Sequence, residues 1–231
     1  MNVLITAAAS ATAQIIAGEL AGSYTLRLTD LSENTGSSTG DVIACDLGHE
    51  KPTDDLVAGI DAIVNIGYQC QTGSATDLID YHTRRMYNLV QAASDAGVSR
   101  CVNISTLRLY EGHEENLVVT ERWRTDPPAD DVELLGAHLT EIVCKEFARD
   151  RLVQVANLRL GWPLVGGSSA GPDDTAAVTH ELIGAAVAEA LVSNELDQWQ
   201  DIHVQSPVAN QRFSTATAAR LLPGLAERLA Q

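Results

Sequence analysis

Short apolar runs alternate along the chain with longer segments in which apolar residues recur every three to four positions. The runs have strand length: Val3 to Ile5, Tyr24 to Asp30, Asp41 to Asp46, Asp61 to Gly67, Arg100 to Thr106, Val153 to Leu160 and Asp201 to Gln205. Helical spacing between them predicts a first helix ending near Ala21 and a short one from Pro52 to Gly59. Two long helices follow, from about Ala75 to Ala96, closed by Gly97 as a C-cap, and from Asp131 to Arg151. A further helix covers Thr179 to Asn194, and a terminal helical stretch from Ser214 to Leu229 breaks at Pro223 and Gly224. Asn34 to Gly40, Arg108 to Asp131 and Gly161 to Asp174 read as loops, the last as a flexible cover over a substrate. Strands alternating with helices at this spacing predict an α/β fold with a doubly wound parallel sheet. Its crossovers should be right-handed.

Composition narrows the setting. The 231 residues are enough for a full core and one domain, spanning 1–231, with 161–231 adding a small substrate-side portion. No apolar run approaches the length of a membrane span, and the small residues after Ile5 lack the basic flank of a signal peptide. The net charge of −16 argues against nucleic acid and anionic membranes as partners. Cys45, Cys70, Cys101 and Cys144 are dispersed, with no paired or metal-ligand spacing, so a reducing cytoplasm is the expected location and no metal is expected.

The stretch from Asn2 to Ala21 reads as strand, tight turn and helix, the arrangement that seats a pyrophosphate on a helix N-terminus. Such turns carry glycine, and this one has none. Asp30 and Asp46 each end a strand on the same predicted edge.

Taken together, these segments resemble the extended short-chain dehydrogenase/reductases, also called NAD-dependent epimerase/dehydratases. Met1 to Leu20 is similar to the family opening TGATGxxG. Leu28 to Leu31, Ala44 to Leu47 and Asp61 to Gly67 are similar to its next three strands, and Ala93 to Thr106 resembles EAAREAGVKRFVYISS. Glu141 to Gly161 and Phe213 to Leu222 resemble the later helix and strand and the last helix. The uronate dehydrogenases, with RLSD and VACDL in their second and third strands, are the nearest subgroup in style.

The resemblance implies a Rossmann-like fold and a small sugar or sugar-acid ligand. It places the three turn glycines at Ala7, Ser10 and Ala13, the ribose carboxylate at Asp30, and adenine contacts at Asp46 and Leu47. Gly67 falls at the carboxyl end of the fourth strand, beside the same cofactor. A carboxylate at Asp30 accepts from a ribose 2′-hydroxyl and repels a 2′-phosphate, so the expected cofactor is NAD rather than NADP. Ser10 either crowds a phosphate or donates to it.

The family's catalytic set is a Ser or Thr, a Tyr, a Lys four residues later and an Asn. Thr106 falls at the Ser/Thr position, Glu133 at the Tyr, Ala137 at the Lys and His82 at the Asn. The only lysines are Lys51 and Lys145, so a Y-x-x-x-K pair would need tyrosine where Leu47 and Glu141 stand. The sequence therefore leaves three readings. One is an NAD-binding oxidoreductase or epimerase with variant catalytic residues. Another is a non-catalytic relative, and the third is cofactor-free chemistry by His82, Thr106 and Glu133. Lys145, four residues after Glu141, reads as a helix-supporting pair. His138, Arg84 and Arg85 read as surface or dimer bridging residues. The two long helices (75–96 and 131–151) are expected to pair across a twofold axis into a homodimer.

Overall fold

The computed structural model describes residues 1–32, 41–68, 73–114, 117–164 and 175–229. The loop expected at Asn34 to Gly40 and most of the cover expected at Gly161 to Asp174 lie outside the described residues. Nine strands and eight α-helices are described: β1 (Asn2–Ile5), α1 (Ala11–Leu20), β2 (Thr25–Asp30), β3 (Val42–Ala44), α2 (Lys51–Val57) and β4 (Ala62–Ile66). Next come α3 (Ala75–Asp80), α4 (Met86–Asp95), β5 (Arg100–Thr106), α5 (Val132–Arg149), β6 (Gln154–Leu160) and β7 (Trp162–Pro163). The chain finishes with β8 (Ala177–Val178), α6 (His180–Val192), β9 (Trp199–Val204), α7 (Ala216–Leu221) and α8 (Pro223–Leu229).

Seven strands form one parallel sheet in the order β3-β2-β1-β4-β5-β6-β9. The strand order reverses between β1 and β4, the topological switch point at which such sheets bind ligands. Alternation along each strand sends side chains to two faces. Val3, Ile5, Val64, Ile66, Val102, Ile104 and Leu158 join one buried cluster with Ile16 of α1, Ile183 of α6, Leu221 of α7 and Leu225 of α8. The C-terminal helices thus complete the same core as the first strand. Leu4, Ile63, Cys101 and Val155 point the other way, onto Leu56 of α2, Leu89 of α4 and Phe147 of α5. Among the described residues no helix is long and apolar enough to cross a membrane.

That second face changes character towards the carboxyl ends of the strands. Beyond the apolar layer it carries polar residues, of which Thr6, Asn65, Asn103, Asn157 and Asp201 join in a ladder. Thr6 Oγ1 donates to Asn65 Oδ1 at 3.0 Å, and Asn65 Nδ2 donates to Asn103 Oδ1 at 2.8 Å. Asn103 Nδ2 donates to Asn157 Oδ1 and Asn157 Nδ2 to Asp201 Oδ1, both at 2.8 Å. The strand register that sets Asn65 beside Asn103, Asn103 beside Asn157 and Asn157 beside Asp201 makes these bonds possible. A satisfied network of this kind holds neighbouring strands in one register, because a slip would leave buried amides unpaired.

Two details differ from the sequence reading. The expected continuous helix from 75 to 96 contains a π-helical turn, Tyr81–Arg85, between α3 and α4. The small sheet of β7 and β8 was not expected, whereas the terminal stretch does divide into α7 and α8 next to Pro223. Gly97 does follow α4 in the left-handed region (φ 80°), where its N–H and that of Val98 return to Ser94 and Ala93.

Candidate functional site

The turn between β1 and α1 keeps the shape that glycine normally allows. Ala7 stands at φ 50°, in the left-handed region, where a non-glycine residue costs about 1–2 kcal/mol. The surrounding bonds hold it there. Ala8 N donates to Thr29 O at 3.0 Å, Ser10 N to Ala7 O at 2.9 Å, and Ala9 N to Asp30 Oδ2 at 2.8 Å. Ser10 is the N-cap of α1, its Oγ accepting from Ala13 N at 3.2 Å. Ala13 is buried in the sheet–helix contact, so the methyl at the third turn position is accommodated.

Asp30 is only 4% exposed. Its other oxygen accepts from Leu31 N at 2.8 Å, so the carboxylate braces β2 against the turn. Asp46 Oδ1 accepts from Ser32 N at 3.0 Å. Leu47 is buried with φ 52°, and its carbonyl accepts from Asn88 Nδ2 of α4 at 3.0 Å. Gly67 serves the polar ladder: a Cβ there would lie 2.5 Å from Asn103 Oδ1 and 2.9 Å from Thr140 Cγ2.

A cavity of about 430 Å³ opens at this edge. Its walls come from the N-terminus of α1 (Ser10, Ala11, Thr12), the end of β5 (Ser105, Thr106), the residues just past β4 and β5 (Tyr68, Arg108), and Leu160 to Pro163 from the end of β6 onward. Thr106 Oγ1 accepts from Arg108 N at 3.2 Å, which leaves the hydroxyl proton available to a ligand oxygen. Arg108 Nη1 donates to Tyr68 Oη at 2.6 Å.

Beneath the cavity lies a charged cluster. Glu141 of α5 accepts from Ser105 Oγ at 2.6 Å and takes Arg159 in a fork, Nε to Oε1 at 2.8 Å and Nη2 to Oε2 at 2.6 Å. Arg159 also reaches Asp201 at 3.0 Å and Tyr110 Oη at 2.5 Å. Burial pushes the Glu141 carboxyl up, but the Arg159 charge and hydrogen bonds outweigh it and hold the group ionised below its ordinary range. Burial drives the Tyr110 phenol above its ordinary value and depresses His203, 3.2 Å from Tyr110 Oη, to about 3. This cluster corrects the expected pairing of Glu141 with Lys145. Glu141 turns inward to satisfy Arg159, and Lys145 Nζ sits 5.5 Å over the Trp199 ring instead.

Of the three residues expected to act together, only Thr106 lines the cavity. Glu133, in the first turn of α5, lines a separate shallow hollow with Asp130 and Asp131. His82 is buried in the π-helical turn with Nδ1 2.8 Å from Thr140 Oγ1, its ring filling the space where Gly136 has no side chain. Burial lowers its pKa to about 4, and Nε2 has no hydrogen-bond partner. A neutral, enclosed imidazole acts here as a packing group against α5. Arg84 and Arg85 both pair with Asp80, and His138 Nδ1 meets Thr125 Oγ1 at 3.1 Å. Sequence reasoning missed Tyr68, Arg108 and Trp162 as lining residues. Their positions just past β4, β5 and β6 were the available signal. Among the described residues no group of three His, Cys, Asp or Glu is placed to hold a metal ion.

The comparisons with known proteins agree with this architecture. A search of curated proteins found no match. Among solved structures the chain is similar to glucuronic acid dehydrogenase from Chromohalobacter salexigens, at 20% identity and a TM-score of 0.81, covering 95% of this chain and 82% of that one. It is also similar to uronate dehydrogenase from Agrobacterium tumefaciens, at 17% identity and 0.81, covering 99% and 88%. A third match is MoeE5 in complex with UDP-glucuronic acid and NAD, at 16% and 0.74, covering 100% and 97%. At these identities the likeness is one of fold, a Rossmann-like α/β architecture. The model of the NAD dependent epimerase/dehydratase family matches residues 12–205. The chain belongs to the NAD-dependent epimerase/dehydratase family.

Proposed function

We propose that this protein binds NAD along the β1–α1 turn and acts on a sugar or sugar acid as an oxidoreductase or epimerase with non-standard catalytic residues. The observation that carries the reading is the turn itself. Ala7 holds the left-handed conformation without glycine, and the cavity begins where that turn delivers the N-terminus of α1. The N–H groups of Ala11 and Thr12 have no acceptor inside the helix and border the cavity, so they suit a pyrophosphate. Ser10 Oγ would stand beside it. A carboxylate at the end of β2 would repel a 2′-phosphate and suits ribose hydroxyls, which favours NAD over NADP.

When bound, NAD supplies a hydride acceptor. The chain's own part is to orient the substrate oxygen with the Thr106 hydroxyl and to exclude water with Leu160, Trp162 and Pro163. The neighbouring structures whose titles name uronate, glucuronic acid or UDP-glucuronic acid suggest the ligand class. A thermal-shift titration tests the reading. Ligand at about 100 times its dissociation constant adds about 2.7 kcal/mol, so NAD should raise Tm and NADP should raise it far less. No shift at millimolar NAD would sink it.

A second reading, a non-catalytic relative, draws on a specific observation. Ser10 already caps α1 and Asp30 already accepts from Ala9 and Leu31, so both side chains have internal roles without a ligand. The same titration separates the two.

Two further expectations belong to this proposal. A homodimer through α4 and α5 would cover Tyr87 and Ile142, which are 50% and 44% exposed on the two helices. Sedimentation would give twice the chain mass. A reducing, cytoplasmic setting suits the buried thiols of Cys45, Cys101 and Cys144.

A further inference from the structure

The family's Tyr–Lys pair is missing from the sequence, and neither lysine borders the cavity. The structure nevertheless brings a phenol and a cation together there by another route. Tyr68 stands just past β4 and Arg108 in the short 3-10 turn, Leu107–Tyr110, that follows β5. Because β4 and β5 are hydrogen-bonded neighbours, residues forty apart in sequence overhang the same edge. Both line the cavity with Thr106, and the N-terminus of α1 contributes to the same lining.

The guanidinium is fixed before any ligand arrives. Arg108 Nε donates to Glu111 Oε1 at 2.8 Å, and Nη2 lies 3.3 Å from Asp131 Oδ2 at the N-cap of α5. Nη1 is aimed at Tyr68 Oη at 2.6 Å. Its backbone N–H also orients Thr106 Oγ1, so one residue positions both hydroxyls. Arg108 touches the phenol, and Glu111 and Asp131 hold the far side of the guanidinium. A donated bond from a fixed cation stabilises the phenolate over the phenol.

We infer that Tyr68 is the proton-transfer residue of this cavity, that Arg108 positions it, and that Thr106 holds the same substrate oxygen. In the oxidative direction the substrate O–H bond breaks and the Tyr68 O–H bond forms. The electron pair of the broken bond stays on the substrate oxygen, becoming the second bond of the carbonyl. The hydride leaves the same carbon for the oxidised nicotinamide of NAD. In reverse, Tyr68 returns the proton. The inference rests on the NAD-dependent reading, since without a hydride acceptor Tyr68 has no oxidation to complete.

The test begins on the unliganded protein, so that it stands apart from that reading. Ultraviolet difference titration follows phenolate formation in wild type, Tyr68→Phe, Arg108→Gln and Arg108→Lys, with circular dichroism confirming the fold of each. One phenol should ionise below the ordinary tyrosine value of about 10. It should vanish in Tyr68→Phe, move up in Arg108→Gln and stay low in Arg108→Lys. If Arg108→Gln fails to fold, Tyr68→Phe and Arg108→Lys still decide the outcome. A Tyr68 phenol that titrates at the ordinary value, or that Arg108→Gln leaves in place, overturns the pair. With NAD and a panel of uronic acids, Tyr68→Phe should lower kcat/KM on the order of 10²–10⁴-fold while keeping the NAD thermal shift. Retained turnover overturns the inference alone. Loss of the NAD shift in wild type would instead sink the function reading, whatever the phenol does.

Discussion

Removing the Glu141 carboxylate should be among the most damaging single changes in this protein. Arg159 is 5% exposed, and three of its hydrogen bonds end on Glu141 or Tyr110, with Asp201 at 3.0 Å as its other carboxylate. In Glu141→Leu the guanidinium stays buried with Asp201 as its remaining carboxylate and Tyr110 as a neutral acceptor. Stripping one partner from a buried ion pair costs about 3–5 kcal/mol, and the surviving Asp201 contact argues for the lower end, about 3 kcal/mol. For a chain of this size that corresponds to a fall in Tm of about 6–12 °C. Urea unfolding followed by circular dichroism would show it as a lower midpoint at an unchanged slope. The double variant Glu141→Leu with Arg159→Met replaces the pair by apolar groups of similar volume, and should recover most of the loss. A single-variant loss under about 1 kcal/mol, or a double variant no better than the single, would refute the claim that this pair holds up the cavity floor.

Three other outcomes follow from the same geometry. His82 and His203 have folded pKa values lowered to about 4 and about 3 from 6.5, so below pH 6.5 the unfolded chain takes up protons that the folded one refuses. Stability should be full above that pH and fall by about 1.4 kcal/mol per unit per histidine on acidification. Tm measured between about pH 7 and about pH 5 should show this, and His82→Asn should roughly halve the slope; a flat profile would contradict it. Gly67→Ala forces a methyl against Asn103 and Thr140 and should cost about 1–3 kcal/mol by thermal unfolding, whereas a neutral effect would mean that the ladder tolerates movement. Ser10→Gly should lower stability by only a few tenths of a kcal/mol, against about 1 for Ser10→Ala, and should tighten NAD binding by vacating the space of the hydroxymethyl group; weaker binding would mean that Ser10 donates to the phosphate.

The strand positions and most helix limits were legible because the buried strands β1, β4, β5 and β6 carry apolar residues on both faces at their amino ends. Gly97 marked the end of α4 by the one conformation that glycine adopts without penalty. The polar ladder was not legible. A single Asn65, Asn103 or Asn157 within an apolar run reads as an interruption, and becomes a network only when the register sets the three side by side. Glu141 misled for a related reason, since Lys145 offered a local partner and Arg159 a distant one. The π turn at Tyr81–Arg85 shifts the helical period by part of a turn, which a pattern summed over two long halves does not register. Of the residues that the resemblance proposed, Ser10 and Thr106 line the cavity, whereas Asp30 braces the turn beside it. Tyr68 and Arg108 were not legible, because no spacing motif links residues that meet only through adjacent strands.

The central claim is that a turn without glycine still presents α1 to a dinucleotide, with Asp30 reading the ribose. Isothermal titration calorimetry of the wild-type protein with NAD tests it most directly, with NADP and the Asp30→Ala variant measured alongside. Saturable binding of NAD, much weaker binding of NADP, and loss of NAD binding in Asp30→Ala are the predicted results. No heat at millimolar NAD, or equal affinity in Asp30→Ala, would contradict the account.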